Sequence, residues 1–176
     1  VLSVFAGLRP LAAPRSEGKK TKEISRSHKL IREKSGLITI IGGKWTTYRK
    51  MAQDTLDLAI RYMHIPTKDC ITERYQIHGS RKNPDFSDPL YVYGTDADEI
   101  RNLVASSPAM AEKLHPDYAY TVGEVTWLVR NEMPRTLEDV LARRLRILFL
   151  DARAAMAMAP KVAGILAGEW GKDETW

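Results

Sequence analysis

A run of six residues, Gly-Gly-Lys-Trp-Thr-Thr at positions 42–47, carries the clearest chemical signal in this sequence. It follows an apolar, β-branched run at residues 37–41 and precedes an amphipathic helical pattern. A glycine turn between a strand and a helix brings the helix N-terminus, with its free N–H groups, up to an anion or a polarised ligand. Because glycine has no Cβ, the backbone approaches such a ligand closely. The pattern therefore predicts one wall of a binding site.

A nucleotide-hydrolysing P-loop is a second interpretation of this turn, and its spacing argues against it. A P-loop needs a glycine five positions before the glycine of its Gly-Lys pair, where this sequence has Ile38. It also needs Ser or Thr directly after the lysine, where this sequence has Trp45. A plain helix start without a ligand stays an alternative. Against that alternative, Lys44 has the wrong charge for a helix N-terminus, and a start that breaks local preference indicates a site.

Positive charge is concentrated in the first 50 residues, which hold 12 Lys and Arg against 3 Asp and Glu. The remaining residues hold 15 Lys and Arg against 19 Asp and Glu, so the net charges of the two parts are +9 and −4. This asymmetry indicates an anionic partner for the first part. Arg9, held by Pro10 after an apolar run, is a candidate for presenting a guanidinium there. A surface arginine and a solvated basic loop stay alternatives.

A short hairpin and a long helix are predicted to position these residues. Residues 1–6 are apolar and predict a buried strand that ends at Gly7. Residues 29–33 and 37–41 predict a β-hairpin that turns at residues 34–36. Apolar residues then recur every three or four positions, which predicts a helix from Lys44 or Trp45 to about Met63.

The second half of the sequence is helical in pattern and carries acidic helix starts, including the capping-box spacing Thr121…Glu124. A last helical region is predicted over residues 151–168, in two pieces that meet at Pro160. The predicted fold class is mainly α. A helical-bundle domain at residues 70–176 follows a strand remnant, a β-hairpin and a long helix at residues 1–69.

Composition excludes several classes of protein. A single cysteine, Cys70, excludes an internal disulfide framework. The four histidines lack metal-ligand spacing, so no metal site is predicted. No apolar run approaches the ~18 residues of a membrane-spanning helix. The sequence does not begin with Met and opens inside an apolar run, which we interpret as a piece of a longer protein.

Three motifs, in order and with matching separations, resemble the C-terminal third of FAD-dependent glycerol-3-phosphate dehydrogenases of the aerobic type. They are Ala-Gly-Leu-Arg-Pro-Leu at residues 6–11, Ser-Arg-Ser-His at 25–28 and the octapeptide Gly-Gly-Lys-Trp-Thr-Thr-Tyr-Arg at 42–49. The tail is similar as well, in Tyr-Thr-Val at 120–122 and in the run at 137–144. The octapeptide is the most specific part, and the resemblance covers nearly the whole chain.

The resemblance implies an oxidoreductase that oxidises sn-glycerol 3-phosphate to dihydroxyacetone phosphate by hydride transfer to FAD, with electrons passed on to a quinone. It implies that Arg9, Arg26 and Lys44 bind the substrate, and two-pronged guanidinium contacts suit a phosphate. It places the glycine turn along the pyrimidine edge of the flavin, where Lys44 contacts either the flavin or the substrate. The implied cofactor-binding residues are Gly42, Gly43, Lys44, Thr46 and Thr47.

The sequence lacks the Gly-x-Gly-x-x-Gly fingerprint of a dinucleotide-binding fold. Residues 1–69 are therefore interpreted as the end of a truncated FAD-binding and substrate-binding domain, with no catalytic residue assigned. We expect the piece alone to be colourless, without bound FAD, and inactive. We expect a cytoplasmic location, with a peripheral position on the inner face of the plasma membrane as its variant, and the single cysteine fits a reducing compartment. A homodimer and peripheral membrane association stay open, and nucleic acid is not expected as a partner.

A function of another class stays as the alternative: a non-catalytic helical binding module whose basic arm holds an anionic partner. The sequence pI of about 9.3 allows this interpretation. Against it, the positive charge is not interleaved with aromatic residues, and no nucleic-acid-binding motif is visible.

Overall fold

A computed structural model of the chain describes residues 1–8, 27–173 and 175. The chain forms two compact units, Gly7–Gln76 and a second unit made of Val1–Ala6 with Ile77–Trp176. No helix in the described part combines the length and the hydrophobicity needed to cross a bilayer.

The unit Gly7–Gln76 contains the predicted hairpin and long helix. Strands β1 (His28–Arg32) and β2 (Ile38–Gly42) pair antiparallel, with His28 opposite Gly42. A 3₁₀ turn at Trp45–Thr47 continues directly into helix α1 (Tyr48–Met63). The helix ends at His64, which adopts the left-handed conformation at φ 53° and donates its N–H to the carbonyl of Ile60. This left-handed residue ends the helix before Pro66 is reached.

The described residues of this unit do not form a buried hydrophobic core. None of its described residues from 27 to 76 is fully buried. Large apolar side chains of the 3₁₀ turn and α1 remain in solvent, among them Trp45 at 88% and Leu56 at 60% exposure. A cation–π contact, with the Arg32 guanidinium 3.8 Å from the centre of the Tyr62 ring, links the end of α1 to the hairpin.

The second unit is helical and has a continuous core. A 3₁₀ segment at Tyr91–Asp96 leads into the helices, and a π-helical turn at Asp139–Arg144 interrupts them. The helices are α2 (Ala97–Ala105), α3 (Val122–Asn131), α4 (Ile147–Leu150) and α5 (Ala152–Trp170). Helix α3 packs against both α2 and α5. The predicted fold class, mainly α with a preceding β-hairpin, is confirmed.

Apolar residues at helical spacing fill this core, as their periodicity predicts. Ile100 of α2, Leu128 of α3 and Leu166 of α5 are fully shielded from solvent. Thr121 caps α3, because its Oγ1 accepts the N–H of Glu124 at 3.2 Å. Asp151 caps α5 by accepting the N–H groups of Arg153 and Ala154.

Residues 1–6 do not form the predicted buried strand. They are irregular, and Val4 is 84% exposed. A strand needs a neighbour for its N–H and C=O groups, and the described sheet contains only β1 and β2. Instead, Ser3 donates its hydroxyl to the carbonyl of Leu148, and Phe5 packs its ring 4.9 Å from that of Phe149.

The predicted break at Pro160 is also absent, since α5 runs through it. Proline removes one hydrogen bond from the helix ladder. Buried residues on both sides of it, Met158 and Val162, keep the two halves packed in one core.

Candidate functional site

The two glycines of the turn adopt a conformation that favours glycine. Gly42 has φ +76° and Gly43 has φ +81°, a region that side-chain-bearing residues rarely enter. A Cβ on Gly43 would lie 2.5 Å from Sδ of Met51 and 3.3 Å from Cβ of His28. The turn is therefore packed closely against α1 and β1, and a side chain at position 43 would disturb both contacts.

A concavity of about 630 Å³ opens at this turn. It is lined by Gly42, Gly43, Lys44, Trp45, Thr46, Tyr48 and Met51. Four of the five predicted cofactor-binding residues thus lie on one surface, and the fifth, Thr47, does not line it. Thr47 instead stabilises the turn, because its Oγ1 accepts the N–H of Lys44 at 3.3 Å and donates to the carbonyl of Lys44 at 2.9 Å.

Lys44 brings positive charge to the concavity. Its backbone is extended, at φ −135° and ψ 151°, and it precedes the 3₁₀ turn. Its ammonium makes no ion pair with any residue that the structure describes. The N–H groups of Trp45 and Thr46, which begin the helix, also have no acceptor among the described residues. A free cation and free N–H groups together suit a ligand group that carries or develops negative charge.

An exposed aromatic pair forms a further part of the lining. The rings of Trp45 and Tyr48 lie 5.9 Å apart, tilted by 33°, and both are more than half exposed. Sequence reasoning did not assign either residue to the site. The available signal was Trp45, an aromatic residue at the start of the helix and two positions after Gly43, where no core contact was predicted.

The carboxylate of Asp54 on α1 stabilises the region around the turn. Asp54 contacts Nε2 of His28 at 2.9 Å and Nζ of Lys50 at 2.9 Å. The hydrogen bond from Lys50 holds the pKa of Asp54 below its usual value. The contact with His28 ties β1 to α1 next to the glycine turn, and the contact with Lys50 lies within α1. His28, which is part of the Ser-Arg-Ser-His motif, therefore has a structural partner here.

Arg49, the last residue of the octapeptide, points to another segment. Its guanidinium donates to Gln53 at 2.9 Å and to Thr72 at 3.1 Å, and it lies 3.5 Å from the carboxylate of Glu73. The octapeptide therefore combines site residues with one residue that anchors the chain after α1.

Two of the predicted substrate-binding residues, Arg9 and Arg26, lie outside the described residues. Most of the basic arm required by the alternative function lies there as well. The assignment of Arg9, Arg26 and Lys44 to the substrate stays a prediction. Within the described part of the chain, no three His, Cys, Asp or Glu side chains come together to hold a metal ion.

Comparison with known proteins gives consistent matches along the chain. Residues 37–175 match the family described as the C-terminal domain of alpha-glycerophosphate oxidase. The chain is 34% identical to a mitochondrial glycerol-3-phosphate dehydrogenase of Arabidopsis thaliana, in a match that covers 98% of the chain and 32% of that protein. It is 36% identical to a probable mitochondrial glycerol-3-phosphate dehydrogenase of Dictyostelium discoideum, covering 95% and 30%. The human mitochondrial glycerol-3-phosphate dehydrogenase is 30% identical, covering 99% and 26%.

The chain thus spans about a quarter to a third of the length of these curated relatives. All three are mitochondrial by name. The prediction of a cytoplasmic location, including its variant on the inner face of the plasma membrane, is therefore wrong. Amino-acid composition does not distinguish one cellular compartment from another, and a single cysteine is compatible with any reducing compartment.

Proposed function

Since the chain belongs to the family of the C-terminal domain of alpha-glycerophosphate oxidase, we propose that it is the C-terminal part of a mitochondrial, FAD-dependent glycerol-3-phosphate dehydrogenase. The substrate of the whole enzyme is sn-glycerol 3-phosphate, its product is dihydroxyacetone phosphate, and a quinone takes the electrons. The names of the relatives support the substrate, and the motif resemblance supports the cofactor and the acceptor.

The observation that carries this proposal is the ammonium of Lys44 beside the glycine turn, which has no ion-pair partner among the residues that the structure describes. The concavity fits one edge of a flavin, because two glycines leave its backbone open and an aromatic wall stands beside a cation and N–H groups that have no partner in the described part of the chain. FAD, when bound, supplies the electron-accepting chemistry of the reaction. Lys44 and the helix start then hold positive charge beside the ring system, where negative charge accumulates on reduction.

Substrate binding in this proposal rests on Arg9 and Arg26, which grip the phosphate as paired guanidinium groups. The interaction of His28 with Asp54 fixes the strand that follows Arg26 against α1. This gives the Ser-Arg-Ser-His motif both a binding residue and an anchoring residue.

The lack of a buried core in the described part of the unit Gly7–Gln76 supports a role within a larger enzyme. Its described residues from 27 to 76 include no fully buried one, and exposed apolar side chains such as Leu56 cost free energy in water. The relatives are three to four times as long as the chain. We propose that other parts of such an enzyme cover this apolar surface.

The test is the exchange of Lys44 for Met in the complete enzyme, with Lys34→Met, an exposed lysine of the hairpin turn, as the matched control. We expect Lys44→Met to lower kcat/KM for glycerol 3-phosphate about 100-fold or more, as the loss of one electrostatic group commonly does. We also expect the flavin reduction potential to become more negative, because the reduced ring loses its cationic neighbour. If Lys44→Met behaves like Lys34→Met in both measurements, the proposed role of this turn is wrong.

A further inference from the structure

A second cavity lies entirely within the helical unit, and none of its lining residues belongs to the glycine turn. Its volume is about 380 Å³, which is in the range of pockets that hold small molecules. It lies where residues 88–90 meet α2 and the start of α3. Its walls are largely aliphatic and include Leu90, Ile100, Val104, Ala105, Ala111 and Ala119.

Glu124 is one of the residues that line this aliphatic cavity. Only 4% of the residue is exposed. The hydroxyl of Tyr93 donates a hydrogen bond of 2.6 Å to Oε1. Glu124 makes no ion pair with any described residue. Burial raises the pKa of Glu124 to about 7, so the carboxyl group loses its proton near neutral pH. The resulting carboxylate has no cationic partner among the described residues.

The other charged residues of the cavity do not supply that cation. Arg101 is paired with Asp88 and, at 2.5 Å, with Asp98. Tyr93 and Tyr120 are titratable groups near Glu124, and burial followed by the charge of Glu124 raises the pKa of both, so both stay neutral. When Glu124 is ionised, the cavity lining carries two negative charges, on Glu124 and Asp88, and one positive charge, on Arg101. The net charge of the lining is then −1. Charge complementarity therefore favours a cation and disfavours an anion.

We propose that this cavity binds a small aliphatic ammonium compound, with its hydrocarbon part against the aliphatic walls and its ammonium group beside the carboxylate of Glu124. The cavity supplies hydrophobic contact for the body of the ligand and one ionic contact for its head. This site is separate from the proposed flavin site and does not depend on the proposed function.

Binding of such a cation requires the ionised form of Glu124, so affinity rises with pH. With a pKa of about 7, the carboxylate fraction is about tenfold larger at pH 8 than at pH 6. An aliphatic amine stays protonated throughout this interval. The dissociation constant should therefore fall by about tenfold over these two pH units.

The test uses the full chain and three matched probes: cyclohexylmethylamine, cyclohexylmethanol and cyclohexanecarboxylate. Titrations followed by protein NMR should show saturable shifts around the cavity for the amine, with the tenfold pH effect. The alcohol should bind more weakly and without pH dependence, and the carboxylate should not bind at pH 8. In Glu124→Gln, the amine should bind no better than the alcohol at either pH.

A second variant keeps the test decisive if Glu124→Gln fails to fold. Ala105→Leu fills the cavity from an exposed position at the end of α2, so it should abolish binding of both the amine and the alcohol. Ala109→Leu changes an exposed alanine of the same unit that does not line the cavity, and it should bind like the natural sequence. Absence of saturable amine binding, equal affinity for amine and alcohol, or full binding in Ala105→Leu would each overturn the proposal.

Discussion

The buried carboxyl of Glu124 should make the helical unit less stable as pH rises from 5 to 8. Burial raises the pKa of Glu124 from about 4.5 to about 7 in the folded chain. Between these values the folded state holds a proton that the unfolded state has released. Because the folded state binds more protons there, the free energy of unfolding falls with increasing pH. The stabilisation is present below the unfolded pKa and is lost as pH rises towards the folded one.

The size of this effect follows from the two pKa values. At about 1.4 kcal/mol for each pH unit, the free energy of unfolding should fall by about 2–3 kcal/mol between pH 5 and pH 8. Glu124→Gln keeps the shape of the side chain and has no proton to lose, so this contribution should vanish. Tyr93→Phe removes the hydroxyl that favours the ionised form of Glu124. The fall should therefore extend to higher pH in that variant.

Urea unfolding followed by circular dichroism at several pH values measures this contribution. Glu138→Gln, which changes an exposed glutamate, is the matched control and should keep the pH dependence of the natural sequence. Other carboxyl groups titrate as well, so the difference between Glu124→Gln and the natural sequence is the quantity to compare. Parallel curves for these two proteins would refute the assignment of a raised pKa to Glu124.

Three further substitutions test the turn, the caps and the core. Gly43→Ala should destabilise the hairpin by about 2–4 kcal/mol, because residue 43 has a positive φ and the added Cβ would overlap with Met51. Hydrogen exchange of the amides that pair β1 with β2 measures this loss. Adding Met51→Ala should restore part of the lost stability. Asp151→Ala should cost about 1 kcal/mol in urea unfolding, because α5 loses its N-cap. Leu128→Ala should cost about 2–5 kcal/mol in the same assay, since Leu128 is fully buried, and a cost below 1 kcal/mol would contradict its central place in the core.

Local sequence patterns predicted the helical unit and the hairpin well, because these features depend on interactions over a few residues. The spacing Thr121…Glu124 predicted the cap that the structure contains. The β-branched run before Gly42 predicted β2. The same local patterns failed at residues 1–6. An apolar run indicates that a segment tends to be buried, but it does not indicate which part of the protein it packs against. They also failed at Pro160, where packing on both sides outweighs the preference of one residue.

The motifs of residues 6–11, 25–28 and 42–49 identified the family by themselves, and the match over residues 37–175 confirms it. They did so because several specific residues recur there in a fixed order and at fixed separations. The compartment, by contrast, has no signature in composition, and its prediction was wrong.

Local sequence was sufficient to predict the hairpin, the helix that follows it and the glycine turn, because backbone conformation and periodicity are encoded within short segments. Only the tertiary structure showed which of the turn residues share one surface. It showed that the hydroxyl of Thr47 forms hydrogen bonds within the turn. It also showed that the ammonium of Lys44 makes no ion pair with any described residue. It also showed Glu124 as a buried carboxyl beside an aliphatic cavity. Burial, cavity shape and the loss of ion-pair partners depend on residues far apart in the chain, and spacing alone does not predict them.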